Sequence, residues 1–302
     1  AVLILIAVNI IFFWKFYLGG QIPFPGDLLV SFYFPWSSGG FLGFDSWTTR
    51  KDVIAMDVIR MMYPWKSLVI DQLKAFQWPL WNPYNFSGTP LLANIQSAVF
   101  FPTNLIFFLL PLLPAWILLV ITLPLIFSFF WYIFFRSLRL STWAAILGSI
   151  CAANLTFLNV WTEQLGLLQS IFFLPLILWL ITKFSETNKK IYILLTPVFL
   201  AFSFFGGHPQ TTLYVFILSG IYLIFKKIHL KFIFAVYFFA VAISSVQLLP
   251  TMELYRYSAR EDSSLQKFIT TTTLPWSNLA TIFVPDYYGN PATSNFRKSN
   301  YD

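Results

Sequence analysis

The feature that most restricts this chain is a series of long apolar runs broken by short gaps, with basic residues concentrated in every second gap. A helix crossing a bilayer needs about 20 mostly apolar residues, because its backbone polar groups find no water and must be satisfied within the segment. Runs at 1–18, 115–135, 142–158, 164–182, 191–206, 210–226 and 231–249 meet or approach that length. Arg136 and Arg139 follow the second run, Lys183, Lys189 and Lys190 separate the fourth and fifth, and Lys226, Lys227 and Lys231 separate the sixth and seventh. The connections Asn159–Glu163 and Gly206–Gln210 contain no Lys or Arg. Three basic gaps in alternation place one face of the chain in the cytoplasm. The expected fold is an all-α, polytopic membrane helical bundle of about seven spans in a bacterial cytoplasmic membrane.

Composition agrees with this reading. Only 10% of the residues are charged, against about 25% in soluble domains, and the mean hydropathy is +0.70. The net charge of +7 is topological, because its Lys and Arg sit between apolar runs and form no stripe for nucleic acid. Cys151 is the one cysteine. It permits no intrachain disulfide and no thiolate zinc site, and its place in an apolar run predicts a buried structural thiol. Ala1 lies inside an apolar stretch and Asp302 ends a polar one, the pattern expected of a piece of a longer protein.

The predicted organisation is one transmembrane domain over 1–302, with two segments outside the cytoplasm, 19–114 and 250–302. Segment 98–113 is apolar but interrupted by Pro102, Pro111 and Pro114. If it crossed the bilayer, every later loop would reverse sign, so it reads as a re-entrant or interfacial helix. Within the first loop, Pro64 suits a helical first turn. Val69, Leu73 and Phe76 then recur at helical spacing, with Lys66, Asp71 and Lys74 as the polar face. That pattern predicts an amphipathic helix on the membrane surface, and Trp36, Trp47, Trp65, Trp78 and Trp81 suit an interfacial aromatic belt.

No P-loop, dinucleotide-binding glycine pattern, HExxH or G-x-S-x-G occurs, which argues against nucleotide and soluble-hydrolase chemistry. The chemically useful residues lie instead at the outer ends of the runs: Asp27, Asp57, Asn82, Asn94, Gln96, Glu163, His208, Gln210, Gln247, Glu253, Arg256, Arg260 and Asp286. Each has a plain alternative. Asp27 fits a turn cap, Asp57 a solvated charge, His208 a turn residue, and Glu253 with Arg256 a local helical pair. Glu163, beside Trp161, fits interface anchoring, and His229 among lysines fits solvation. Taken together, acidic and basic groups near hydrocarbon favour a protein-lined or aqueous cavity. Arg suits phosphate recognition, and a carboxylate suits proton abstraction or shared binding of a divalent metal.

Several of these residues carry a resemblance. Trp81-Asn82-Pro83-Tyr84, the run Gly88 to Ala98, and Phe101-Pro102 resemble the YfhO-type bacterial membrane proteins. Asp57 with Tyr63-Pro64-Trp65, Gly207-His208-Pro209-Gln210, the run Gln247 to Leu254, Ser258 with Arg260, and Pro285 to Gly289 continue the pattern. Arg60, Met61 and Met62 depart from the more polar run expected before Tyr63. That family is similar to the GT-C glycosyltransferases, helical bundles with a large first outer loop. The resemblance implies transfer of a sugar from a polyprenyl-phosphate donor to a cell-envelope glycan or lipid acceptor, with Asp27 and then Asp57 as catalytic base or metal ligand. His208, Arg256 and Arg260 become candidates for the donor phosphate. Asn82, Asn94, Gln96, Glu163, Gln210 and Glu253 remain candidates for substrate contact. A transporter or flippase of a lipid-linked or anionic substrate, and a non-catalytic assembly protein, are the competing classes.

Overall fold

The computed structural model describes residues 1–43, 55–258 and 276–289. Among the described residues it is mostly helical, with one sheet, a two-stranded hairpin of β1, Trp81–Asn82, and β2, Thr89–Pro90. Two compact units divide the chain. The first comprises Ala1–Gly26 and Asp57–Leu254, and the second comprises Asp27–Met56 and Tyr255–Asp302. The loop read as one outer segment is therefore shared between units.

The first unit begins with α1, Val2–Phe12, and α2, Trp14–Gly19. After the boundary at Asp57 come a π-helical turn, Val58–Met62, and α5, Tyr63–Lys74. The β hairpin and α6, Ile106–Leu109, follow. Then come α7, Leu112–Ser137; α8, Thr142–Ala153; α9, Thr156–Val160; α10, Gly166–Ile171; and α11, Leu174–Thr187. The unit continues through α12, Lys190–Phe205, and α13, Pro209–Phe225, into α14, Leu230–Arg256. In the second unit, α3, Leu28–Phe32, packs on α4, Trp36–Gly39, and α15 is the short helix Ala280–Phe283.

Among the described residues, three helical stretches are long and apolar enough to cross a membrane: Leu112–Ser137, Gly166–Thr187 and Leu230–Arg256. At about 1.5 Å per residue the first is about 39 Å long, more than the hydrocarbon thickness of about 30 Å. Four shorter apolar helices, Val2–Phe12, Thr142–Ala153, Lys190–Phe205 and Pro209–Phe225, occupy the remaining apolar runs. Breaks in the sequence set these limits. Ser141 accepts a hydrogen bond from the Ala144 amide to start α8, and Asn188, at φ 54°, ends α11. Pro209 stands in the first turn of α13, where its missing N–H costs nothing.

The stretch Gly166–Thr187 is central, with 78% of its apolar window buried, against 22% for Leu230–Arg256. Helix α11 packs on α7, α12 and α13, and α1 packs on α7. Phe127, Phe130, Phe172 and Phe173 interlock at the middle of this core. Hydrogen bonds between helices add direction: Thr182 Oγ1 lies 2.8 Å from the Tyr222 hydroxyl, and the Tyr237 hydroxyl donates to the Phe216 carbonyl at 2.7 Å.

Three expectations need correction. Lys66 lies on the buried face of α5 with Val69 and Ile70, the i, i+3, i+4 relationship that the polar-face reading overlooked. Phe76 lies beyond the end of α5 and is fully exposed, because its positive φ of 57° turns the chain away. Cys151 is exposed on α8, so its apolar neighbours reflect the character of the run and not enclosure by the protein. Segment 98–113 forms a 3-10 turn at Pro102–Leu105 and the one-turn α6, broken at Leu110 before α7. Trp65 packs against the core, Trp78 and Trp81 are exposed, and Trp47 lies outside the described residues.

Candidate functional site

At one end of the first unit, the connection between α12 and α13 meets α10 and the turn Ile95–Ala98. The Gly206-Gly207 corner joins α12 to α13, and neither glycine has room for a side chain. A Cβ on Gly206 would fall 2.4 Å from the Ser170 amide nitrogen, and one on Gly207 would fall 3.0 Å from the Ile95 carbonyl. Gly207 also has φ 94°, which favours glycine. The corner is thus clasped between the second half of α10 and the turn Ile95–Ala98. The Ser170 hydroxyl accepts the His208 amide at 3.0 Å. Gln169 Nε2 donates to Thr103 Oγ1 at 3.2 Å. Gly166, at the start of α10, closes on the Gly206 carbonyl.

His208 caps α13: its Nδ1 accepts the Thr211 amide at 3.3 Å and lies 2.7 Å from Thr211 Oγ1. An Nδ1 that accepts puts the neutral ring's proton on Nε2, which is then the nitrogen left to meet a ligand. Partial burial lowers the His208 pKa below its ordinary value, so the imidazole is neutral at pH 7. Gln96, next to the same corner, is exposed. Asn94 Oδ1 accepts the Gln96 amide at 3.2 Å, and the Ser97 hydroxyl donates to the Asn94 carbonyl at 2.7 Å. Gln210 Nε2 donates to the Tyr214 hydroxyl at 2.7 Å. Asn82 is buried and its Oδ1 accepts the Tyr84 amide at 2.9 Å. Asn82, Asn94 and Gln210 therefore have local structural work, whereas Gln96 is exposed and His208 is half-buried.

A second group adjoins the first. The π turn after Asp57, which carries Arg60, packs against the 3-10 turn Thr162–Gln164, which carries Glu163. π turns often mark functional positions, because the extra residue shifts the register of the side chains. Asp57 is half-buried. Trp116 Nε1 donates to the Glu163 carbonyl at 3.2 Å, and the Trp116 ring meets Tyr63, which in turn meets Phe24. Leu165, at φ 57°, turns the chain from Glu163 into α10 and so links this group to the glycine corner. Asp57, Glu163, His208 and Gln96 thus lie on segments in direct succession.

Behind the surface sits Lys66, which sequence reasoning missed. It is 4% exposed and the only charged side chain in the buried set of the described residues. Its Nζ donates to the carbonyls of Ser97 at 2.8 Å and Ala98 at 3.3 Å and to Asn104 Oδ1 at 2.8 Å. Asn104 Nδ2 bonds in turn to the Ala98 and Val99 carbonyls, each at 2.7 Å. Burial without a carboxylate partner lowers the lysine pKa to about 7. Lys66 thereby fastens the 97–104 segment to the helix that follows Asp57. At the end of α14, Gln247 Nε2 donates to the Leu92 carbonyl, and Thr251 Oγ1 donates to that of Ala93 at 2.8 Å.

Asp27 is half-buried at the start of α3, in the second unit. Glu253 and Arg256 are exposed on the last turns of α14, and Arg260 lies outside the described residues. Compared with protein-family models, curated proteins and solved structures, the chain has no match in any of the three.

Proposed function

We propose that this chain is the membrane part of a glycosyltransferase of the GT-C class. In this reading it belongs to the YfhO-type proteins, spans a bacterial cytoplasmic membrane about seven times, and carries its site on the outer face. The donor is a polyprenyl-phosphate-linked sugar and the acceptor a cell-envelope glycan or lipid. The observation that carries the reading is the succession of Asp57, Glu163, His208 and Gln96 on touching segments at one end of the first unit. Nucleotide sugars are confined to the cytoplasm, so a site on the opposite face needs a donor that travels within the lipid. A carrier places its ionisable groups near mid-bilayer, often at broken helices. Here the buried charge among the described residues is Lys66, in the first loop.

The chemistry is a single displacement. Asp27, ranked first by the resemblance, or Asp57, which shares the succession of segments with His208, takes the proton from the acceptor hydroxyl. The acceptor oxygen bonds to the anomeric carbon as the bond from that carbon to the donor phosphate breaks. Configuration inverts, and polyprenyl phosphate leaves with the bonding electrons. His208 Nε2–H is a donor suited to the phosphate oxygens. The described residues gather no group of three or more His, Cys, Asp or Glu. The step above uses a carboxylate as base, and a divalent ion, where one binds, would draw on a carboxylate such as Asp57 together with the phosphate.

The test is transfer of labelled sugar from a polyprenyl-phosphate donor by membranes containing the full-length protein. Removing a general base slows such steps by about 100-fold or more. Asp57→Asn or Asp27→Asn is expected to show that loss at normal protein abundance. Wild-type rates in both variants would overturn the enzymatic reading in favour of a non-catalytic assembly role.

A further inference from the structure

Between the end of α5 and the start of β2, the chain exposes nearly every large side chain it has. Phe76 is 100% exposed and Phe86 94%, with Tyr84 at 82% and Trp78, Leu80 and Trp81 each more than half exposed. The backbone accepts a cost to hold them there. Phe76 has φ 57° and Phe86 φ 50°, followed by Ser87 at φ 64°. Bulky residues rarely enter this left-handed region, and helix ends that need it use glycine. A fold that strains its backbone to point two phenyl rings away from the protein gains nothing from that in water.

The rings stand on a built base. Trp81 and Asn82 pair with Pro90 and Thr89. Gln72 Nε2 donates to the Trp81 carbonyl at 3.0 Å, and the Leu91 amide donates to the Leu80 carbonyl at 2.8 Å. Gly88, at φ 116°, lies against the Trp81 indole so closely that a Cβ would come within 2.4 Å of it. No Asp, Glu, Lys, Arg or His occurs from Ala75 to Phe135. The exposed apolar character continues through Leu105 and Leu109 directly into the membrane-crossing stretch Leu112–Ser137.

We propose that residues 76–87 form an interfacial anchor that seats Phe76, Trp78, Trp81, Tyr84 and Phe86 in the lipid leaflet where α7 begins. Trp and Tyr suit this zone because each has an apolar body and a polar tip. Phe76 and Phe86 reach past them toward the acyl chains. The anchor has no charged side chain, so its attachment rests on apolar burial and not on anionic lipid. It is independent of the glycosyltransferase reading. Its consequence is local: β1, the 91–98 turn and the glycine corner are held at the height of the lipid headgroups.

The test places an environment-sensitive nitrobenzoxadiazole label at Phe86→Cys in a Cys151→Ser background, with the full chain in phosphatidylcholine nanodiscs. A parallel label at Tyr84→Cys covers the case in which the first variant fails to fold. The label is expected to emit at blue-shifted wavelength and to be quenched by nitroxide lipids, more strongly by shallow acyl nitroxides than by chain-end ones. Adding phosphatidylglycerol or salt should leave both readings unchanged. A label at Glu186→Cys, exposed in the last turn of α11, should emit as in water. Water-like emission at both hairpin positions would overturn the proposal. Blue-shifted emission that lipid nitroxides fail to quench would also overturn it, by showing that protein covers the rings.

Discussion

Replacing Lys66 by Met tests how the outer segment is fastened. The Lys66 pKa falls from 10.5 to about 7 because the ammonium is fully buried among neutral acceptors. No titratable side chain faces it from the Ile95–Ser97 turn or from α6, the segments packed on this part of α5. On its own helix, Tyr63 lies one turn before it, Asp71 is engaged by Ser67, and Lys74 lies beyond; Arg60 is on the π turn. A tenfold change in proton affinity is worth about 1.4 kcal/mol, so holding this ammonium in place at acid pH costs about 5 kcal/mol relative to water. The folded state binds fewer protons than the opened state between pH 7 and the ordinary lysine value. Closure therefore strengthens as pH rises through that window and levels off below it. From pH 6 to pH 8 the closed segment should gain about 1.4 kcal/mol, a tenfold rise in protection. Hydrogen exchange reads this at the amides of Ser97, Ala98, Phe101 and Asn104, which bond within the segment, after correction for intrinsic exchange. Lys66→Met leaves the Ser97 carbonyl and Asn104 Oδ1 without this donor, a loss of about 1–3 kcal/mol for each buried group. Its deficit against wild type should be larger at pH 8 than at pH 6, by about 1.4 kcal/mol. Wild-type protection that is flat with pH, or that rises toward acid, would refute the reasoning.

Gly206→Ala should lower stability by about 2–3 kcal/mol, because the new Cβ meets the Ser170 backbone at 2.4 Å and neither chain can yield cheaply. An unchanged melting temperature would contradict the clasped corner. His208→Ala should cost about 1 kcal/mol through loss of the α13 cap, and His208→Asn should recover most of it. Because burial lowers the His208 pKa from 6.5, its neutral ring favours the folded state at higher pH. That contribution should be lost as pH falls below about 6.5, and thermal unfolding at two pH values would show it absent in His208→Asn.

The apolar helices were legible because composition encodes them directly. Helix α12 spans Lys190–Phe205 and α13 spans Pro209–Phe225, each within a residue of the runs at 191–206 and 210–226. The doublet Gly206-Gly207 and the His208-Pro209 pair already marked the corner between them. Lys66 was not legible as a buried group, because its acceptors come from residues 31 to 38 positions away, and nothing local announces the carbonyl and amide oxygens that meet it. Phe76 continued the helical spacing, yet a left-handed turn at the residue itself ended the pattern. The division of the first loop at Asp57 was equally hidden, since it depends on which segments pack together. The candidate site was readable as a set of polar residues at run ends. Their sorting into structural ones, such as Asn82 and Asn94, and outward-facing ones, such as Gln96, required the hydrogen bonds.

The central claim is that the glycine corner and its polar neighbours face away from the cytoplasm, the direction set by Arg136, Lys183, Lys190 and Lys227. Single cysteines in a Cys151→Ser background test it in intact cells with a membrane-impermeant maleimide. Gln96 is exposed beside the corner, and Glu186 is exposed in the last turn of α11, next to the basic connection to α12. Gln96→Cys is expected to be labelled without permeabilisation, and Glu186→Cys only after it. Labelling in the reverse order would put the site among cytoplasmic nucleotide sugars and contradict the account.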